Sequence, residues 1–137
     1  MNDCLFCNIA SGEIPAEIVY QDEHAVAFLD IMPRVPGHTM VIPKMHARNF
    51  SELASEEIGP FFSACQHVTN LIKKVLAPDG FTLGMNYGKV SGQEVDHLHF
   101  HIMPRWQGDA GHSIQSVVSN KPTEDIKTLG AKIRGEK

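Results

Sequence analysis

The segment His97-Leu98-His99-Phe100-His101-Ile102-Met103 alternates imidazole with bulky apolar side chains in strict period two. On an extended strand successive side chains point to opposite faces, so the three histidines share one face and Leu98, Phe100 and Ile102 the other. The pattern commits the segment to a sheet. Its apolar face has to meet a core, and its imidazole face borders whatever chemistry the chain performs.

Neutral imidazole is a nucleophile at physiological pH and its protonated form is an acid, so neighbouring rings can divide an attack and a proton transfer between them. Residues two apart on a strand lie about 6.6 Å from each other, a spacing suited to separate jobs around a phosphate-sized group. His38, after Pro36-Gly37, is a candidate fourth imidazole at the same place. Gly92 permits close backbone approach and Gln93 offers an amide donor just before the strand. Asp30 is a candidate acceptor for ribose hydroxyls. Two other readings of the strand stay open: a solvated face, and a three-histidine metal site holding an activated water.

Cys4 and Cys7, three apart, make half of a tetrahedral zinc site that histidines elsewhere can complete. Cys65 falls in an apolar helical pattern, where a buried thiol is the ordinary outcome. Three cysteines without a disulfide framework suit a reducing, cytoplasmic setting.

With 137 residues the chain forms one domain able to bury roughly two-thirds of its unfolded surface. Its 42% hydrophobic and 20% charged residues and net charge of -4 describe a soluble globular protein without a basic footprint for nucleic acid. No apolar run approaches the ~20 residues of a membrane span, and the N-terminus lacks the pattern of a signal peptide.

Along the chain, residues 4–11 read as a short helical turn, broken by Gly12-Glu13-Ile14-Pro15. Strand-like stretches follow at Glu17-Ile18-Val19-Tyr20, from His24 to Ile31 and at Thr39-Met40-Val41-Ile42, the last two separated by the stiff Met32-to-Gly37 turn. From Ser55 the period becomes helical, with Phe61, Ala64, Cys65, Val68, Ile72 and Val75 in one stripe. Ser55 with Glu56 and Glu57 reads as a helix start, and Pro60 implies either an irregular first turn or a regular helix from near Gly59. Phe81 to Tyr87 and Asp96 to Met103 read as strands around the loop Gly88 to Gln93, and Thr123 to Arg134 as a last helix. Connections too short for parallel crossovers give an α+β class with a five-stranded antiparallel sheet, one long helix and one or two short ones.

The run of three histidines separated by single apolar residues resembles the defining motif of the histidine triad, or HIT, family. Phe28-Leu29-Asp30-Ile31, Pro36-Gly37-His38-Thr39, Val41-Ile42-Pro43-Lys44, Asn86 and Gly92-Gln93 resemble its strand and phosphate-loop regions, in order over most of the chain. The resemblance implies a single HIT domain over residues 1–137, with a core at 4–105 and a C-terminal extension at 106–137. It also implies a homodimer with a continuous ten-stranded sheet.

Carried over residue by residue, His99 is similar to the nucleophile that attacks an α-phosphorus and forms a covalent nucleotidyl-histidine. His101 resembles the partner that binds phosphate and helps proton movement, His38 the outlying histidine beside the α-phosphate, and His97 the first triad member of the catalytic set. Asn86, Gly92 and Gln93 would orient phosphoryl oxygens and the leaving group. Phe6, Ile9, Phe28 and Ile31 resemble the purine pocket, although ordinary core packing accounts for them equally well, and Asp30 the ribose acceptor. Glu94 stands in the nucleotide-binding loop where some members of the Hint branch carry a serine.

Members with an N-terminal cysteine pair hold a structural zinc, which here implies Cys4, Cys7, His46 and His97 as ligands. The activity implied is hydrolysis of purine nucleoside phosphoramidates to the monophosphate in a Hint-like manner. Hydrolysis of dinucleoside polyphosphates and nucleotide binding with residual turnover are the alternatives.

Overall fold

The computed structural model describes residues 2–136. Five strands, β1 (Ile18–Gln21), β2 (Ala25–Leu29), β3 (Thr39–Pro43), β4 (Gly80–Gly84) and β5 (Phe100–Arg105), form one antiparallel sheet in the order β1-β2-β3-β5-β4. Three α-helices accompany it: α1 (Leu5–Ala10), α2 (Ser55–Leu76) and α3 (Ile126–Arg134). The α+β class expected from the alternation is the one observed.

Period two sorts the sheet into a face toward α2 and a face toward α1. Ala25, Ala27, Val41, Leu98 and Ile102 point toward α2 and pack on Phe61, Ala64, Cys65, Val68 and Ile72. Val26, Phe28, Met40 and Ile42 point the other way and pack on Phe6 and Ile9 of α1. Met40 pairs in register with His101, which therefore lies on the α1 side. Leu98 and Ile102, both fully buried, anchor the histidine segment to the large core from the opposite side.

Several boundaries differ from the sequence expectation, each for a local reason. The histidine strand begins at Phe100, not at Asp96. Val41 pairs with Phe100, so Pro43 lies across from Leu98, and a proline cannot donate to the ladder there. Leu98 N–H donates to the Ala47 carbonyl at 2.7 Å instead. Helix α2 starts at Ser55 as read and runs regularly through Pro60, with neither an irregular first turn nor a delayed start near Gly59. The carbonyl deprived of a partner by Pro60 belongs to Glu56, an exposed residue that water can serve. Val75, expected in the buried stripe, is 68% exposed near the helix end. β2 stops at Leu29, β4 at Gly84, and α3 starts at Ile126 behind an Asp125 cap.

Gly37 is the glycine whose conformation matters most to the histidine cluster. Its φ is +84°, and a Cβ there would lie 2.6 Å from Leu76 Cδ1 and 3.3 Å from Pro104 Cγ. Only glycine turns the chain so tightly against α2 and β5 and delivers His38 to the mouth of β3.

Beyond β5 the chain is pinned once and then runs over the surface. Arg105 Nε and Nη2 donate to Asp109 at 2.6 and 3.0 Å, and Nη1 donates to Thr82 Oγ1 at 2.9 Å and to the His112 carbonyl at 2.8 Å. That fork holds the Asp109 carboxyl well below the usual carboxylate range. From Gly111 onward no described residue is buried. No helix among the described residues is long and apolar enough to cross a membrane.

Candidate active site

Each histidine of the triad has one ring nitrogen already committed, and the commitment fixes what the other can do. His97 Nε2 lies 2.9 Å from the Pro43 carbonyl and His99 Nδ1 lies 2.8 Å from the carbonyl of His97. A carbonyl only accepts, so both nitrogens carry hydrogen and donate. The remaining nitrogens, His97 Nδ1 and His99 Nε2, are left with lone pairs in the neutral rings.

For His99 this is the form a nucleophile needs. The ring is buried, held edge-on by Phe6 at 5.1 Å and by His101 at 5.0 Å between centroids. Among the described residues no buried polar side-chain atom lacks a partner. His99 Nε2, which has no protein partner, therefore reaches open space. Attack through Nε2 places positive charge on the ring, and the main-chain carbonyl at Nδ1 stabilises that charge as a carboxylate does in a hydrolase triad.

For His97 the lone pair faces a different neighbourhood. Its Nδ1 lies 3.3 Å from Cys4 Sγ, 3.5 Å from Cys7 Sγ and 3.1 Å from His46 Nδ1, and His46 Nδ1 lies 3.3 Å from Cys7 Sγ. The four donor atoms lie within 4.8 Å of one another. A tetrahedral ion with two sulfur and two nitrogen ligands separates them by about 3.3 to 3.8 Å, so the set fits such a cation with small adjustment. Burial pushes His97 down to about 4 and keeps it in the neutral, ligating form. Burial and the adjacent Cys4 raise the Cys7 thiol to about 11, so a cation here has to displace protons.

Cys4 also caps α1, its sulfur accepting from the Cys7 N–H at 3.4 Å. A six-residue helix is too short to persist alone, and the side chains that dock it are the same ones that surround the triad.

The three triad rings do not converge on a common point. His97 Nδ1 faces the cysteines, His99 Nδ1 is spent on a carbonyl, and His101 Nδ1 lies 2.9 Å from His38 Nε2. That geometry removes the reading of the triad itself as a catalytic metal site. Asp30, His38 and His101 do come together within 4.8 Å. Arg34 N–H donates to His38 Nδ1 at 3.2 Å, which leaves the proton on Nε2 and links the Arg34 main chain, His38 and His101 in a hydrogen-bonded chain with the Asp30 carboxylate 3.6 Å away.

His101 is half-buried on the α1 side of the sheet. Burial, then the neighbouring His99 and His38, lower it to about 4, with Asp30 opposing. Burial likewise lowers His38 from its ordinary value, with Asp30 opposing and Arg34 adding to the effect.

The other candidate residues are distributed unevenly around this centre. Phe6, Ile9 and Phe28 are buried, with Phe6 edge-on to Phe28 at 5.5 Å. Ile31 is 90% exposed beyond the end of β2, so it does not join that wall. Asp30 accepts from Met32 N–H at 2.9 Å through Oδ1, and its Oδ2 lies 3.6 Å from His38 Nε2. Asn86 sits beside Gly92, whose φ of +106° is a backbone conformation that favours glycine.

Gln93 is turned inward. Its Nε2 donates to the carbonyls of Arg48 at 2.6 Å and Val95 at 3.0 Å, and its Oε1 accepts from Gly88 N–H at 2.8 Å, so its side chain braces the loop. Glu94 is exposed. A cavity of about 900 Å³ beside His101 includes Arg34, Asn86, Ser91, Met103, Ile114 and Val117 in its lining.

Residues 11–108 match the HIT domain. The chain belongs to the HIT family. It is 50% identical over 106 residues to an uncharacterised HIT-like protein of Methanocaldococcus jannaschii, covering 77% of this chain and 81% of that one. It is 36% identical over 133 residues to an adenosine 5'-monophosphoramidase of Schizosaccharomyces pombe, covering 95% of each. A crystal structure of a HIT family member from Bacillus subtilis superposes with a TM-score of 0.86 at 35% identity, covering 98% of this chain and 96% of that one.

The neutral His101 makes acid stability a readout of the site. Its value is about 4 folded against an ordinary 6.5, so the unfolded chain binds more protons between those limits. The contribution is full above pH 6.5 and is lost as pH falls through about 4. Relative to the native protein, a His101→Gln variant should lose about 1–2 kcal/mol less stability between pH 7 and pH 4.5, after allowance for solvent screening at its open side. Urea midpoints at the two pH values check this, and parallel declines would exclude it.

Proposed function

We propose that this HIT protein hydrolyses purine nucleoside phosphoramidates at the α-phosphorus. The observation that carries the reading is the open Nε2 lone pair of His99, backed at Nδ1 by the His97 carbonyl. The named activity of the S. pombe relative supports the substrate class.

In the first step His99 Nε2 bonds to phosphorus and the bond from phosphorus to the leaving nitrogen breaks, its electron pair staying on that nitrogen. The nitrogen takes up one proton and departs as the amine. Water then attacks the same phosphorus, releases the nucleoside monophosphate and restores neutral His99. Phosphoryl transfer asks the protein mainly for position and for donors to the equatorial oxygens. Within this reading His101 serves the oxygens with His38 hydrogen-bonded behind it, and Asn86 with the Gly92 backbone borders the leaving group. Phe6, Ile9 and Phe28 back the purine, and Asp30 accepts from the ribose.

The same reading gives the Cys4, Cys7, His46 and His97 set a structural Zn²⁺. The ion neutralises two thiolates and ties α1 to the segment that carries the nucleophile. A homodimer accompanies it: β4 is a sheet edge, and exposed Leu83, Ile114, Val117 and Val118 lie on its side. A second copy joined there would extend the sheet to ten strands and cover part of that surface.

The decisive experiment measures initial hydrolysis of an adenosine phosphoramidate by the native protein and by a folded His99→Ala variant. Native turnover that drops by about three orders of magnitude or more in the variant is the expected result. Faster turnover of dinucleoside polyphosphates would move the substrate to that class, and nucleotide binding without turnover of either would overturn the enzymatic reading.

Metal analysis should find one zinc per chain. Cys7→Ser should lose the ion and about 2–4 kcal/mol of stability in urea, whereas full stability without bound metal would exclude the structural role. Sedimentation should find two chains per particle, and Leu83→Asp should return single chains.

A further inference from the structure

Arg34 lies between Pro33 and Pro36, in the stiff turn that joins β2 to β3. Its main-chain N–H points at His38 Nδ1 from 3.2 Å. A peptide N–H can only donate, so His38 Nδ1 accepts and the neutral ring carries its hydrogen on Nε2. That Nε2 lies 2.9 Å from His101 Nδ1. Asp30 Oδ2, at 3.6 Å, is outside hydrogen-bonding range of the same nitrogen. His101 Nδ1 therefore accepts as well, and the one hydrogen of neutral His101 has to sit on Nε2.

We infer that the main-chain N–H of Arg34, acting through His38, fixes His101 as a neutral Nε2–H donor. In the phosphoramidate reaction, His101 then stabilises charge on the phosphoryl oxygens and delivers no proton to the leaving group. The first statement stands on hydrogen bonding alone. The second rests on the proposed phosphoramidate activity.

The electrostatic surroundings agree with the hydrogen bonding. His99 just before β5 and His38 from the mouth of β3 both disfavour charge on His101, Asp30 beyond β2 partly offsets them, and burial outweighs Asp30. The Arg34 guanidinium disfavours charge on His38 in the same way. A neutral imidazole cannot yield its only N–H proton without becoming an anion far too basic for neutral pH. It can hydrogen-bond the transition state without changing charge, as a preorganised donor. Water on the leaving-group side supplies the proton instead, and the hydroxide equivalent that remains is consumed when the His99–phosphorus bond is hydrolysed. Position 34 is thus a positioning residue through its backbone, and its side chain is dispensable for the tautomer.

The test is a long-range proton–nitrogen NMR spectrum of the zinc-loaded native protein, with every histidine ring labelled. At pH 7, His38 and His101 should each show a protonated Nε2 and a bare Nδ1, and His101 should keep that form down to about pH 5. A protonated Nδ1 on His101, or an imidazolium at pH 7, would overturn the inference. Neither result depends on whether any phosphoramidate turns over, so the failure of the substrate reading is seen separately.

Two variants locate the cause. Arg34→Ala keeps the N–H and should leave both tautomers as they are. Arg34→Pro removes it and should mix the tautomers of both rings, with kcat lowered about tenfold and KM changed less than about twofold. Unchanged tautomers in folded Arg34→Pro would exclude the main-chain N–H as the cause. Should that variant fail to fold, the native spectrum still decides the state of His101.

Discussion

Everything distinctive about this molecule depends on hydrogen bonds between main-chain groups and single imidazole nitrogens. The Pro43 carbonyl takes His97 Nε2–H, the His97 carbonyl takes His99 Nδ1–H, and the Arg34 N–H occupies His38 Nδ1. Three rings that are chemically identical in the unfolded chain are thereby set apart: one turns its free nitrogen to the cysteines, one leaves it without a protein partner, and one becomes a link in a donor chain. The peptide group is suited to this selection because each of its ends has one role only. A side-chain partner such as a carboxylate would titrate, and the selection would then vary with pH.

Much of this was legible in the sequence, and the part that was not has a physical explanation. Alternation alone placed Leu98 and Ile102 in the core and the histidines on the far face, because side-chain direction in a strand follows from local geometry. The cysteine pair and the family resemblance gathered Cys4, Cys7, His46 and His97, and the structure brings those donors together. Ring tautomers were beyond reach, since they depend on which carbonyl or N–H arrives from another part of the chain. The inward turn of Gln93 escaped for the same reason, as its partners are backbone groups of Arg48, Gly88 and Val95. Pro43 carried a usable signal: a proline ending one strand limits the ladder of its neighbour, which accounts for the start of β5 at Phe100.

The first helix shows how little secondary structure a site of this kind requires. Helix α1 has six residues, yet it supplies two sulfur donors around its start and, through Phe6, an edge against both His97 and His99. Phe6 and Ile9 dock it on Val26, Phe28, Met40 and Ile42. Intrinsic helix stability contributes little at that length. Docking, capping and the donor set act as one unit, so whatever loosens one loosens the surroundings of His99.

The separation of the sheet into two faces has an evolutionary reading. Residues that point toward α2 answer to packing, and under the proposed function those that point toward α1 answer to packing on α1 and to chemistry together, with the strand period keeping the two faces on alternate positions. A substitution at Ala27 or Ile102 is judged by volume, and one at Met40 or His101 by what it does to a bound molecule. Such a sheet lets selection retune reactivity on one side while the other continues to hold the chain folded, so divergence in specificity need not consume stability.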